Sequence, residues 1–154
     1  MRDLKALQAR LSELSSTLSP VFSEEFGDAV VSVECEQLLA TARELKDMGF
    51  DRLGIVTAID RHDSFTLLYR LTSRPLSAAL FLKTTLPHEG AHAPSMCDVW
   101  PAANWQEREV FDMFGIVFDD HPDLRRILLP EDWVGHPLRK DYQDDRIIRR
   151  PDYI

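Results

Sequence analysis

Leu4, Leu7, Leu11, Leu14 and Leu18 recur at three–four spacing, which places one apolar stripe along a helix. Ser19-Pro20 ends it. Such a stripe either docks on the chain's own sheet or packs against a partner. Asp28 to Glu34 (DAVVSVE) is β-branched and short, a strand pattern. Residues 36–48 return to helical spacing, with Leu38, Leu39, Ala42, Leu45 and Met48 inward and Gly49 as a left-handed stop before Phe50. Three alternating runs follow: Leu53, Ile55, Thr57, Ile59; then Phe65, Leu67, Tyr69, Leu71; then Leu80, Leu82, Thr84. Arg61-His62-Asp63 suits a hairpin turn, and Ser73-Arg74-Pro75 a second connection. Pro87, Gly90 and Pro94 make residues 86–98 a loop, and Pro101 opens a last helix that runs to Phe114 and stops at Gly115. The pattern predicts an α+β two-layer sandwich: a mixed, mainly antiparallel sheet with helices on one face.

Beyond residue 120 the pattern changes. Pro122, Pro130, Pro137 and Pro151 break regular structure, yet Leu124, Ile127, Leu128, Leu129, Trp133, Val134, Leu138 and Tyr142 keep the segment apolar. Residues 121–154 carry seven basic and seven acidic side chains, so the net charge of −8 belongs to the first 120 residues. We divide the chain accordingly: 1–120 is an α/β domain ending in the last helix, and 121–154 an extended tail that needs a surface to lie on. The acidic balance argues against non-specific nucleic-acid binding, which needs a cationic footprint. No apolar run approaches the roughly 20 residues of a membrane-spanning helix. The first five residues carry no apolar signal core, so the expectation is a protein of the cytosolic compartment.

Few motifs point to bond chemistry. His88-Glu89-Gly90-Ala91-His92 matches H-E-x-x-H, the pattern of zinc hydrolases, which requires both histidines on one helical face. Pro87, Gly90 and Pro94 disfavour that helix, and a surface loop is the expected conformation. Cys35 and Cys97 have no CxxC context and read as buried, inert thiols. With six glycines in the chain, no phosphate-cradling loop is present. His121 and His136 each precede a proline and show no orienting partner in the sequence. On the last helix Ala103, Glu107, Val110, Phe111 and Phe114 share one arc, with Trp105 and Asp112 directed the other way. A carboxylate on an apolar arc must be paired, so Glu107 is expected to meet Arg125, Arg126, Arg139 or an arginine of a partner.

The run Asn104-Trp105-Gln106-Glu107-Arg108-Glu109-Val110-Phe111-Asp112-Met113-Phe114-Gly115-Ile116 resembles the signature of the respiratory complex I 30 kDa subunit family, which belongs to bacterial NADH:quinone oxidoreductase. The likeness continues through His121-Pro122-Asp123-Leu124-Arg125-Arg126-Ile127-Leu128, Pro130-Glu131-Asp132-Trp133 and Gly135-His136-Pro137-Leu138-Arg139-Lys140-Asp141-Tyr142. It spans about residues 99–142. One position departs: Asp120 stands where the family usually has glycine before His-Pro.

The resemblance implies a structural, non-redox subunit of the peripheral arm of a proton-translocating enzyme, on the cytoplasmic face of the cell membrane. It implies a hetero-oligomer: docking on the large quinone-site (49 kDa-type) subunit beside iron–sulfur subunits. FMN, iron–sulfur clusters and quinone would sit on other chains, with no catalytic, cofactor or metal residue here. That agrees with two isolated cysteines, since a cluster wants about four thiolates. The residues then expected to lock the fold or meet the partner are Glu107, Arg108, Glu109, Asp112, Gly115, His121, Pro122, Arg125, Arg126, Pro130, His136, Pro137, Leu138, Arg139, Lys140, Asp141 and Tyr142. An equivalent subunit of a membrane-bound hydrogenase or a ferredoxin- or F420-linked oxidoreductase is the alternative assembly, and a zinc hydrolase using His88, Glu89 and His92 the alternative enzyme.

Overall fold

A computed structural model describes Ala9 and residues 20–25 and 27–145. The leucine stripe at residues 4–18 therefore lies outside the described residues, as do residues 146–154. In chain order the elements are β1 (Val21–Glu25), β2 (Asp28–Ser32), α1 (Cys35–Asp47), β3 (Arg52–Asp60), β4 (Ser64–Ser73), β5 (Ala78–Pro87), β6 (His92–Pro94), α2 (Ala103–Phe114) and β7 (Val117–Asp119).

The five-stranded sheet has the order β1-β2-β5-β4-β3. β3, β4 and β5 form an antiparallel meander, and β2 joins it parallel to β5. The fold is α+β with a mixed sheet, as the pattern predicts. Strict alternation in β4 and β5 sends Phe65, Leu67, Tyr69, Leu71, Leu80, Leu82 and Leu86 into one core with Leu38, Leu45, Ala103 and Val110 of the helices. α1 closes with a Schellman cap: Gly49 at φ 101 donates to the Lys46 carbonyl and Phe50 to that of Leu45.

The structure departs from the sequence pattern in three places. β3 does not bury Ile55, Thr57 and Ile59. Its register shifts between Leu53 and Ile55, and the bulge at Gly54 turns Val56, Ala58 and Asp60 inward instead. β1 carries too few apolar residues to be read as a strand, and it forms by pairing with β2. Residues 92–94 are a strand rather than loop, pairing parallel with β7. Asp120 adopts φ 60, the left-handed conformation that a glycine would hold with less strain and that Asp tolerates better than most residues.

Candidate functional site

Glu107 is fully buried, as its place on the apolar arc of α2 requires, but it meets no arginine. Loop 95–97 reaches it first. Ser95 Oγ donates to Oε2 at 2.7 Å, the Met96 amide to Oε1 at 2.7 Å, and the Cys97 thiol to Oε2 at 3.6 Å. Among the described residues the ionisable nitrogen that comes near is His121 Nε2, 3.9 Å from Oε2. The expected arginine pairing is therefore corrected. The three candidates are engaged elsewhere, because the tail passes over the other side of the helix. Burial pushes the Glu107 carboxyl above its ordinary range, and the Ser95 and Met96 bonds only partly offset this.

A carboxyl raised in the folded state stabilises the fold fully below its unfolded value, and that contribution fades as pH rises through the raised value. Glu107→Gln is thus expected to be neutral or stabilising at pH 7, with the difference vanishing in acid. Glu107→Ala leaves the Met96 amide and Ser95 hydroxyl without an acceptor and should cost about 2–3 kcal/mol, or about 5–10 °C in melting midpoint. Calorimetry of both variants across pH checks this. Equal losses for Gln and Ala would contradict it.

Asp112 is the carboxylate that takes the arginine. Its position opposite the apolar arc would ordinarily face water, but the tail returns across that side and buries it completely. Oδ1 accepts from Arg126 Nη1 at 2.6 Å. Oδ2 accepts three consecutive amides, those of Ile127, Leu128 and Leu129, at 3.1, 2.8 and 2.9 Å. Burial alone would raise this carboxyl, yet the amides and the guanidinium outweigh it and hold it below the usual range. Arg126 also donates to the carbonyls of Asp112, Trp133 and Gly135. Arg108, one turn earlier on α2, donates to the carbonyls of Arg125 and Arg126. The described tail is thus held by its backbone.

A second pin lies at the end of β3. Asp60 Oδ2 accepts the Lys140 amide at 2.8 Å, and Oδ1 the His62 amide at 2.7 Å. His88 stacks on Phe65, with Arg139 also over that ring. Arg139 Nη2 stands 3.1 Å from His88 Nδ1 and can only donate, so the ring proton sits on Nε2, facing Asp60 at 3.3 Å. This disposes of the hydrolase arrangement. Residues 88–92 are not helical, His88 turns inward, and His92 pairs with Asp119 at 2.8 Å on the other side of an exposed Glu89.

Burial would raise Asp60, but the Lys140 and His62 amides and the His88 ring hold it at about 2. A depressed carboxyl stabilises the fold above its ordinary 3.8 and loses that contribution as pH falls toward 2. Urea unfolding should therefore lose about 2 kcal/mol across this interval on account of Asp60. In Asp60→Asn that part of the slope should disappear. An unchanged slope would contradict the assignment.

Several of the remaining signature residues make further contacts around the tail. Gly115 caps α2 at φ 77, with its amide on the Phe111 carbonyl. The His136 ring fills the space a side chain there would need, and its Nδ1 donates to the Asp112 carbonyl at 3.0 Å. The Leu138 amide donates to the Met113 carbonyl. Arg139 forms a two-point pair with Asp141, and Tyr142 donates its hydroxyl to Asp144. Glu109, Pro122, Arg125, Pro130 and Lys140 are exposed. His121 does have orienting partners: Nε2 donates to the Asn104 carbonyl and Nδ1 accepts the Asp123 amide. Pro137 is half-buried.

Two clusters gather ligand-type atoms, Cys97–Glu107–His121 and Asp60–His88–Asp141. In each the histidine nitrogen facing the carboxylate carries the ring proton, as its hydrogen-bond partners require. Burial pushes the Cys97 thiol up to about 11, which keeps it protonated at neutral pH and unreactive. Asp60 and Ser95 carry no sequence signal for their part in these contacts. Each acts only because a distant segment folds onto it.

Residues 31–146 match the family model described as respiratory-chain NADH dehydrogenase, 30 Kd subunit. An NADH-quinone oxidoreductase subunit of Trichlorobacter lovleyi is 47% identical over 124 residues, covering 77% of this chain and 76% of that protein. NADH-quinone oxidoreductase subunit 5 of Thermus thermophilus is 37% identical over 148 residues, covering 88% and 72%. Among solved structures, the trypsin-resistant fragment (1-134) of Nqo5 superposes with a TM-score of 0.68 at 30% identity, covering 77% of this chain and 98% of that one. A chain of an archaeal membrane-bound sulfane sulfur reductase shares the fold, with a TM-score of 0.79 at 23% identity and coverage of 97% and 95%.

Proposed function

This chain belongs to the family of the respiratory-chain NADH dehydrogenase 30 kDa subunit, and from that premise we propose that it is a structural, non-redox subunit of the peripheral arm of a proton-translocating NADH:quinone oxidoreductase. It docks on the large quinone-site subunit. FMN, iron–sulfur clusters and quinone reside on neighbouring chains. Residues 1–120 form the supporting domain and the segment from 121 onward meets the partner. The observation that carries this reading is the lock between α2 and the tail. Arg108, Asp112 and Arg126 of the signature, and Asp60 of β3, all end on tail backbone, which supports a role in building a shape. Association with the membrane is peripheral, at the cytoplasmic face. No helix among the described residues is long and apolar enough to cross a bilayer.

The test is purification of the full tagged chain from mildly solubilised native membranes, with mass spectrometry of what accompanies it. A flavin subunit, iron–sulfur subunits and the large quinone-site subunit in fixed ratio are expected. The shared fold with an archaeal respiratory membrane complex keeps a second assembly in view. A nickel–iron hydrogenase set, or ferredoxin- or F420-linked subunits, would assign the chain there instead. No stoichiometric companion would overturn the structural-subunit reading.

A further inference from the structure

Around Arg108 and Arg126 the chain is arranged inside out. Five backbone carbonyls, of Asp112, Arg125, Arg126, Trp133 and Gly135, accept from these two buried or half-buried guanidinium groups. Three tail amides end on Asp112. The backbone is therefore satisfied within the fold and fixed in one shape. Three large apolar side chains beside those contacts point to solvent: Trp105 at 64% exposed, Leu128 at 62% and Val134 at 85%. Trp105 lies beneath the Arg108 guanidinium, 5.2 Å from ring centre to Cζ. The Leu128 amide is one of those on Asp112, and Val134 stands between the two tail carbonyls that Arg126 holds. Single exposed apolar residues are ordinary, but a group of them on a rigid backbone marks an interaction surface. Tryptophan is among the residues that dominate such surfaces.

Charge indicates what covers it. An open cleft of about 520 Å³ adjoins Val134, with the exposed carboxylates of Asp132 and Asp145 on its wall and no basic side chain among its described lining. We infer that Trp105, Leu128 and Val134 are the preformed anchor points for a basic protein surface, in which apolar sockets take these side chains and a lysine or arginine enters the cleft. This rests on the assembly reading above, and the partner is a subunit of the same complex. Because the backbone is already fixed, docking does not have to order it, which lowers the entropic cost of binding.

The experiment is the same membrane purification, carried out with the full chain and its variants. Val134→Asp and Trp105→Ala are expected to reduce recovery of the companion subunits about tenfold or more. The melting midpoint of Val134→Asp should stay unchanged, while that of Trp105→Ala should fall slightly with the loss of the ring under Arg108. Val21→Asp, at an equally exposed site on β1, should recover them fully. Asp132→Lys combined with Asp145→Lys should also reduce recovery. A photo-crosslinker at position 134 should join a lysine- or arginine-bearing peptide of one companion, a readout that does not depend on the fold tolerating aspartate. Full recovery by Val134→Asp, crosslinks confined to the chain itself, or self-association of the isolated protein that Val134→Asp abolishes would each overturn the proposal. If wild type brings no companions, the assembly reading fails. If wild type and Val134→Asp bring the same set, only this surface fails.

Discussion

Asp112→Ala is expected to destabilise the protein by about 4 kcal/mol, because removing one partner of a buried ion pair strands the other. Here the loss is larger than a single pair. Arg126 would remain half-buried with its closest anionic contact gone, and the amides of Ile127, Leu128 and Leu129 would lose their common acceptor. At about 2–4 °C per kcal/mol for a domain of this size, the melting midpoint should fall by roughly 10–15 °C. Hydrogen exchange should show where the loss falls. Protection at residues 127–129 should drop far more than in the β3–β5 meander, since the carboxylate holds the tail and not the sheet. Arg126→Met leaves Asp112 with its three amides and should cost less. The double variant should then show a clear coupling. A midpoint within a degree or two of wild type for Asp112→Ala would show that the tail is held by its apolar contacts instead.

Gly115→Ala is expected to cost about 3 kcal/mol, or about 6–12 °C, from two sources. Glycine holds φ 77, and an L-residue there costs roughly 1–2 kcal/mol. The added Cβ would also stand 2.6 and 2.7 Å from the His136 ring. That ring cannot simply swing away, because Nδ1 is bonded to the Asp112 carbonyl and its edge packs on Phe111. Displacing it loosens the segment that Arg126 and the Leu138 amide hold. The two sources separate in a His136→Ala background, where Gly115→Ala should cost only the backbone part. Equal cost in both backgrounds, read by urea unfolding, would remove the close approach from the explanation.

Much of the architecture is legible in the sequence because the sheet buries one face. A period of two in β4 and β5 and of 3.6 in α1 and α2 then follows from burial alone. Gly49 and Gly115 mark the helix ends for a local reason, the left-handed turn each must make. β3 is legible as a strand but not in register, since the bulge at Gly54 moves every later side chain to the opposite face. β1 is not legible at all, because VFSEE owes its strand to its neighbour rather than to its composition.

The signature helix shows the division between local and distant causes most clearly. Its residues determined by themselves that residues 103–114 form a helix and that Glu107 is buried. They also determined the family, because residues 99–142 match it in their polar, glycine and proline positions. Only the tertiary structure decided which donors meet which carboxylate. Helical geometry assigns each side chain a direction but does not say what covers that direction. Loop 95–97 covers Glu107, so a hydroxyl and an amide satisfy it rather than an arginine. The tail covers the opposite side, so Asp112, in a position that would otherwise be solvated, becomes a buried pin. Both partners come from segments distant along the chain or without periodicity, and hydrogen bonds between such segments exist only once the whole fold has brought them together.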